Sequence, residues 1–266
     1  MKSADNTLTV HLLTEKWSSN LHFFDEIDST NRYLLEHEAD LAPFTVAVTD
    51  FQSAGRGRLQ RRWIAPPRTS LLVSVLLWPS FPPFWLTMIA GLSAVEAVER
   101  HADVTVGLKW PNDVMVRSTE GKWHKLGGIL TEVRSADERV TAVVGMGLNV
   151  NIAAADLPDA ATPAASLLTA TGQRIPREPL LDDWLTAFER NVLSAERGDS
   201  PHRRWSQRLI TLGQRVQVSG GAGAVFGVAT GTDEWGQLLV RDDAGRLHEV
   251  AAGDVTLRGS AETKNG

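Results

Sequence analysis

GRGRLQRRW, residues 55 to 63, places four arginines in nine positions of a chain that carries 27 basic against 32 acidic side chains, net −5. Widening the window to 51–70 adds Arg68 and no Asp or Glu, so nothing inside the segment neutralises it. Gly55, Gly57 and the pair Pro66-Pro67 exclude a continuous helix or strand. The flanks differ, because TVAVTD at 45–50 and SLLVSVLLW at 70–78 are apolar, β-branched runs that predict two strands. The arginines therefore lie on a connection between strands, longer than the roughly 12 to 15 residues at which a structureless loop is usually functional or disordered. A solvated surface run usually mixes signs. Here single-sign charge sits beside glycines, which offers backbone N–H groups and guanidinium forks to carboxylate and phosphate oxygens. Empty, such a loop has little to fix one conformation, so it is expected to be a mobile lid that an anionic ligand closes.

Gly55 and Gly57 after a strand superficially match the start of a dinucleotide fingerprint. The third glycine position holds Gln60, and Trp63 with Pro66-Pro67 stands where a helix should open. The fingerprint has meaning only between a strand and a helix, so a nicotinamide site is rejected.

Working outward, DSTNRYLLEHE at 28–38 predicts a helix capped by Asp28 or Ser29. Trp85, Met88, Ile89, Leu92, Val95 and Val98 mark a helix of about four turns that packs on a sheet. VTVGLKW (104–110), KLGGILTEV (125–133) and VTAVVGMGLNVNI (140–152) predict further strands. Leu180, Leu181, Trp184, Leu185, Phe188 and Val192 give a second amphipathic helix, and the polar ERGDSPH at 196–202 a connection. From about Gly213 the texture changes to short alternating runs separated by glycine and Asp-Asp-Ala-Gly turns, which predicts a small five-stranded β-barrel. The expected fold is α+β, with a mixed central sheet flanked by helices in residues 1–211 and a β module in 212–266.

There is no cysteine, which excludes disulfides, thiolate zinc sites and a cysteine nucleophile. No apolar run approaches the roughly 20 residues of a membrane helix, and MKSADNTLTVHLL lacks the layout of a signal peptide, so no membrane partner and a cytoplasmic setting are expected. The acidic balance argues against a general nucleic-acid binder. The 27 residues before the first capped helix leave little room for a DNA-binding helix-turn-helix, so no DNA partner is expected either.

Two further stretches carry candidate chemistry. In KWPND, 109–113, Asn112-Asp113 after Pro111 reads equally as a turn. Lys109 and Asp113 would also suit a phosphate and a Mg²⁺ ion, and position alone does not choose. Lys125 in HKLGGIL reads alone as a snorkelling lysine, but Gly127-Gly128 beside it marks a place where a ligand can approach the strand.

GRGR with a tryptophan downstream, KWPND, K-L-x-G-I-L and GxGxN at 145–149, in this order, resemble the biotin protein ligase family, as does DSTN at 28–31. The resemblance implies a class II synthetase-like catalytic domain followed by an SH3-like domain, in a monofunctional form without an N-terminal DNA-binding domain. It implies a two-step reaction: biotin and ATP give biotinyl-5′-AMP, and a lysine of a biotin carboxyl carrier domain of a biotin-dependent carboxylase then takes the biotin. By the same resemblance Ser29, Thr30, Asn31, Gln52, Gly55, Arg56, Gly57, Arg58, Lys125 and Gly128 bind biotin. Arg56, Arg58, Arg61, Trp63, Lys109, Asn112, Asp113 and Asn149 bind ATP, Trp63 as the cover for adenine. Lys125 and Arg58 serve catalysis, and Asp113 helps hold Mg²⁺. Gln60 departs from the commoner GRGRxGRxW and restricts φ where glycine would not.

A lipoate-type protein ligase would also form an acyl-adenylate, but its motifs fit this order less well, and octanoyltransferases that use a thioester are excluded by the missing cysteine. A non-catalytic biotin sensor or a repressor that kept the ligand site is the alternative from another class. Relatives pair through the sheet edge, so monomer and homodimer both stay open.

Overall fold

The computed structural model describes residues 20–136, 139–160, 162–220 and 223–258. MKSADNTLTVHLL, on which the expectation about a leader rests, lies outside them. The larger part of the chain runs β1 (Leu21–Phe24), α1 (Thr30–Glu36), β2 (Val46–Thr49), β3 (Ser70–Leu77), α2 (Trp85–His101), β4 (Val106–Lys109), β5 (Asp113–Arg117), β6 (Trp123–Ala136), β7 (Arg139–Asn149), α3 (Leu167–Thr171), α4 (Arg177–Glu196) and α5 (His202–Ser206). The smaller part is β8 (Arg215–Gly220), β9 (Gly223–Thr232), β10 (Leu238–Arg241), β11 (Leu247–Val250) and β12 (Asp254–Arg258).

Seven strands form one sheet in the order β1-β2-β3-β7-β6-β5-β4. β1 pairs with β2 in parallel and the other neighbours are antiparallel, so the sheet is mixed, as expected. β3 is buried at every position, which is why SLLVSVLL is nearly continuous in apolar residues: helices cover both of its faces. Leu34 and Leu35 of α1 pack with Ala47, Leu76 and Val143 on one face. The other face carries α2 and α4, joined by Trp184 Nε1 donating to Ala90 O and Asn191 Nδ2 donating to Ser93 Oγ.

The cap of α1 is Ser29, which is extended (φ −159°) and whose Oγ accepts the Arg32 N–H, while Asp28 binds the Ser29 N–H instead. The helix is shorter than the expected 28–38 because His37 already leaves helical geometry. Two strands escaped the sequence pattern. β1 is four apolar or aromatic residues without alternation, and β5 starts at Asp113, directly after the turn signal Pro-Asn. Trp110–Asn112 is thus the turn of a β4–β5 hairpin, with Lys109 opposite Asp113 and a cis Trp110–Pro111 bond. The polar connection after α4 ends at Pro201, where α5 begins.

The five C-terminal strands form an antiparallel sheet in the order β11-β10-β9-β8-β12. Its Val216, Val218, Ala229, Leu238, Val240 and Val255 belong to the same continuous core as the large sheet. Trp110, 2% exposed, is the joint: its Nε1 donates to Gly236 O at 2.8 Å and its backbone N–H to Thr211 Oγ1 at 3.0 Å. The chain entering the small sheet also extends the edge strand β4, through Leu108 N to Arg208 O and Ile210 N to Leu108 O, both 2.8 Å. Truncating a tryptophan buried in this way costs about 3–5 kcal/mol.

Candidate active site

The site begins with a pair of glycines. Gly128 of β6 stands opposite Gly147 of β7, and a Cβ at Gly147 would lie 2.5 Å from Trp63 Cε2, one at Gly128 3.4 Å from Trp63 Cζ3. The indole of Trp63 therefore rests on a shelf that only missing side chains can provide. Its Nε1 is buried without a hydrogen-bond partner, an orphaned donor of the kind that marks a site adapted to something else. Gly145 lies two residues along β7 on the same face, and a Cβ there would meet Asn31 Oδ1 at 2.1 Å. The GxGxN motif is thus one face of one strand. Its last member, Asn149, is buried with Nδ2 on Ala165 O, so it ties β7 to the segment before α3.

Beside the shelf the β5–β6 register slips between Val114 and Met115, which pair with Gly127 and Lys125 and leave Leu126 as an extra residue. In a regular strand, residues 125 and 128 would face opposite ways. The bulge turns Lys125 onto the face of Gly128, whose hypothetical Cβ would lie 3.6 Å from Lys125 Nζ. There the ammonium lies 2.5 Å from Asp113 Oδ1 and 6.0 Å from the centre of the Trp63 ring. Lys109, buried, donates to Thr162 Oγ1 at 3.0 Å, and burial holds its ammonium below the ordinary lysine range despite the attraction of Asp113. Asn112 braces β6, with Nδ2 on Ile129 O at 2.7 Å and its own carbonyl accepting the Ile129 N–H. Its Oδ1 accepts from Arg58 Nη1 at 3.2 Å. Desolvation lowers the Arg58 pKa, with Asp254 and Asp113 pulling the other way.

The arginine loop carries hydrogen bonds of its own. Gly57 N–H donates to Arg61 O, Trp63 N–H to Gly55 O, and Arg56 bridges Arg62, so the segment closes on itself around a short 3-10 turn, Arg58–Gln60. A Cβ at Gly55 would meet Trp63 O at 2.5 Å. Gln60 sits at φ 61°, in the region that glycine would occupy without strain and that costs a residue with a Cβ about 1–2 kcal/mol. Partners for the arginines come from near and far in the chain. Arg56 Nη2 pairs with Glu132 at 2.7 Å, Arg61 forks onto Asp254 of β12, Arg62 donates to Ser53 O, and Arg68 pairs with Asp50. Ala54–Arg62 and Leu130 line a cleft of about 440 Å³, within the range of small-molecule sites.

Others of the predicted residues share a hydrogen-bond network at the start of α1. Gln52 Oε1 accepts the Thr30 N–H at 2.9 Å, Thr30 Oγ1 and Ser74 Oγ are 2.7 Å apart, and Ser74 Oγ donates to Asn31 Oδ1 at 2.6 Å. Asn31 Nδ2 donates to Leu130 O and to Glu132 Oε2. Lys125, Asp113, Trp63, Gly128, Lys109, Asn112 and Arg58 thus make one group, and Ser29, Thr30, Asn31, Gln52 and Arg56 a second. Sequence reasoning missed Ser74, Glu132 and Asp254. Ser74 carried a signal, as a fully buried hydroxyl between apolar neighbours of β3, which needs a buried partner. Among the described residues no three His, Cys, Asp or Glu side chains cluster as a metal cage.

Two family profiles match the chain, one described as the biotin/lipoate A/B protein ligase family over residues 23–151 and one as the biotin protein ligase C terminal domain over 211–258. The chain is 35% identical over 240 residues to a biotin–[acetyl-CoA-carboxylase] ligase of Mycobacterium tuberculosis, covering 85% of each. It is 31% identical over 264 residues to the bifunctional ligase/repressor BirA of Bacillus subtilis, covering 96% of this chain and 79% of that one. The biotin protein ligase from Aquifex aeolicus, solved with biotin and ATP, superposes with a TM-score of 0.75 at 31% identity, over 91% of this chain and 99% of that one. With both profiles in place and the shelf, bulge and arginine loop built from the motifs first read in the sequence, the chain belongs to the biotin protein ligase family.

Proposed function

We propose that this site performs the ligase reaction by the two chemical steps that the family resemblance implies. The protein is an ATP-dependent biotin protein ligase. The carboxylate of biotin attacks the α-phosphate of ATP, forming the C–O–P bond of biotinyl-5′-AMP as pyrophosphate leaves. The amine of an acceptor lysine then attacks the acyl carbon, forming an amide and releasing AMP. The observation that carries the assignment of the site is the Lys125–Asp113 contact beside the Gly128–Gly147 shelf, next to Asn112, which Arg58 of the cleft wall reaches. In our assignment Lys125 and Arg58 stabilise negative charge as it develops on the reacting oxygens, which a preorganised, half-buried cation does without reorganising at that moment.

Ser29, Thr30, Asn31 and Gln52 hold biotin, Gly55, Gly57 and Gly128 let it approach the backbone, and Arg56 and Arg58 take its carboxylate. Trp63 leaves its shelf to cover adenine, which would give the orphaned Nε1 a partner. Lys109, Arg61, Asn112 and Asp113 meet the phosphates, and Asn149 acts from behind by fixing the wall. Asp113 would help hold a Mg²⁺ ion that arrives with the nucleotide, and the ion would offset charge on the phosphates.

The acceptor in this proposal is the carrier domain of a biotin-dependent carboxylase, and the working unit a monomer or homodimer. We place the division into catalytic and C-terminal domains at 211/212, just after Thr211, whose hydroxyl accepts the Trp110 backbone N–H. No helix among the described residues is long and apolar enough to cross a membrane, and a cytoplasmic setting belongs to the proposal. Pyrophosphate exchange into ATP, measured with biotin and with lipoate, tests the reaction. Exchange that depends on biotin is expected, and exchange that depends on lipoate alone would overturn it.

A further inference from the structure

Glu132 of β6 has its carboxylate between two parts of the site that are far apart in sequence. Oε1 accepts from Arg56 Nη2 of the arginine loop at 2.7 Å, and Oε2 accepts from Asn31 Nδ2 of α1 at 2.9 Å. Behind Asn31 the bonds have one direction. Ser74 gives its only hydroxyl proton to Asn31 Oδ1, so Thr30 Oγ1 is the donor to Ser74, and the chain Thr30→Ser74→Asn31→Glu132 runs toward the negative charge. Arg56 closes the chain from the other side. Gly145 fixes where Asn31 can stand, since any side chain there would collide with its amide.

Arg56 uses one nitrogen for this pair, and a guanidinium carries five N–H groups in a fixed fork, so most of its donors stay available to a ligand. Glu132 therefore aims Arg56 without consuming it. We propose that Glu132 is a positioning residue that couples the arginine loop to the hydrogen-bond network at the start of α1, presetting Arg56 and Asn31 together before a carboxylate-bearing ligand arrives. The proposal rests on the assignment of this cleft as the biotin site. Because the loop is held before binding, less ordering remains to be done when the ligand enters, which favours binding over turnover.

The test is Glu132→Gln, which keeps the shape and an acceptor for Asn31 but removes the charge that Arg56 faces. The KM for biotin is expected to rise about 5- to 20-fold, with single-turnover formation of biotinyl-AMP at saturating biotin within about twofold of wild type. Trypsin should cut between residues 56 and 62 several-fold faster in the ligand-free variant, with protection restored by biotin and MgATP. A cycle with Arg56→Met should show that the two KM effects are not additive, as coupled neighbours require. Unchanged KM and cleavage, or a fall in melting temperature with kcat and KM affected alike, would make Glu132 merely structural and overturn the proposal. If Arg56→Met itself leaves the KM for biotin unchanged, the site assignment fails instead.

Discussion

The Lys125 ammonium reaches the Asp113 carboxylate, 2.5 Å away, only because the β5–β6 register slips by one residue between them. The pair gives Asp113 two duties, holding Lys125 in place and meeting the nucleotide. Asp113→Asn keeps the shape and removes the charge. Adenylation should fall by about 10²-fold, since a half-buried charge partner is lost from a preorganised site, while the Kd for biotin changes less than threefold. Rapid-quench pyrophosphate release and calorimetric biotin binding separate the two. Loss of biotin affinity in step with rate would contradict this division.

The glycine shelf makes a steric prediction. Gly147→Ala puts a methyl group within van der Waals conflict of the indole. Repacking of this kind costs about 1–3 kcal/mol, and the indole must leave its place. A lower melting temperature and altered tryptophan fluorescence are expected, with the stability recovered in the double variant Gly147→Ala, Trp63→Ala. If the second substitution lowers the melting temperature further, Trp63 is not what the glycine accommodates.

Lys109 links pH to stability. Burial lowers its pKa, so between the lowered and the ordinary value the native state binds fewer protons than the unfolded chain. The unfavourable contribution is present in full below the lowered pKa and is relieved as pH rises through it. Lys109→Met should therefore melt about 2–4 °C higher at neutral pH. That advantage should shrink as the solution is made alkaline, and the KM for ATP should rise roughly tenfold, about 1.4 kcal/mol. An advantage that grows with pH contradicts the burial account, and an unchanged KM contradicts the nucleotide role.

The loop's ion pairs are exposed at the arginine end and should be screened by salt. Raising the salt from about 0.05 to about 0.5 M, across which the screening length falls several-fold, should speed tryptic cleavage at 56–62 in the free protein. Insensitivity to salt would mean that backbone bonds alone hold the loop.

The sequence carried the motifs and the mixed sheet because both leave local marks: apolar runs of strand length, amphipathic periods, glycines beside lysines. It did not carry β5, hidden behind a turn signal that is itself real, nor the bulge at Leu126, since a one-residue slip reverses faces without changing composition. The arginine loop was legible as charge and illegible as structure. Its partners Glu132, Asn112 and Asp254 lie on other strands and turns, up to 193 positions away, so no window around residue 58 contains them. Those long-range pairs give the expected lid a defined set of partners along one wall of the cleft.

The most direct test of the central claim is single-turnover formation of biotinyl-AMP by Lys125→Ala, with enzyme in excess over biotin and MgATP saturating. Removing one preorganised cation from the developing charge should slow this step by on the order of 10²- to 10³-fold while the folded state, by melting temperature, stays near that of the parent. Formation of the adenylate at the parent rate would contradict the assignment of Lys125, and with it the placing of the reaction at the Gly128–Gly147 shelf.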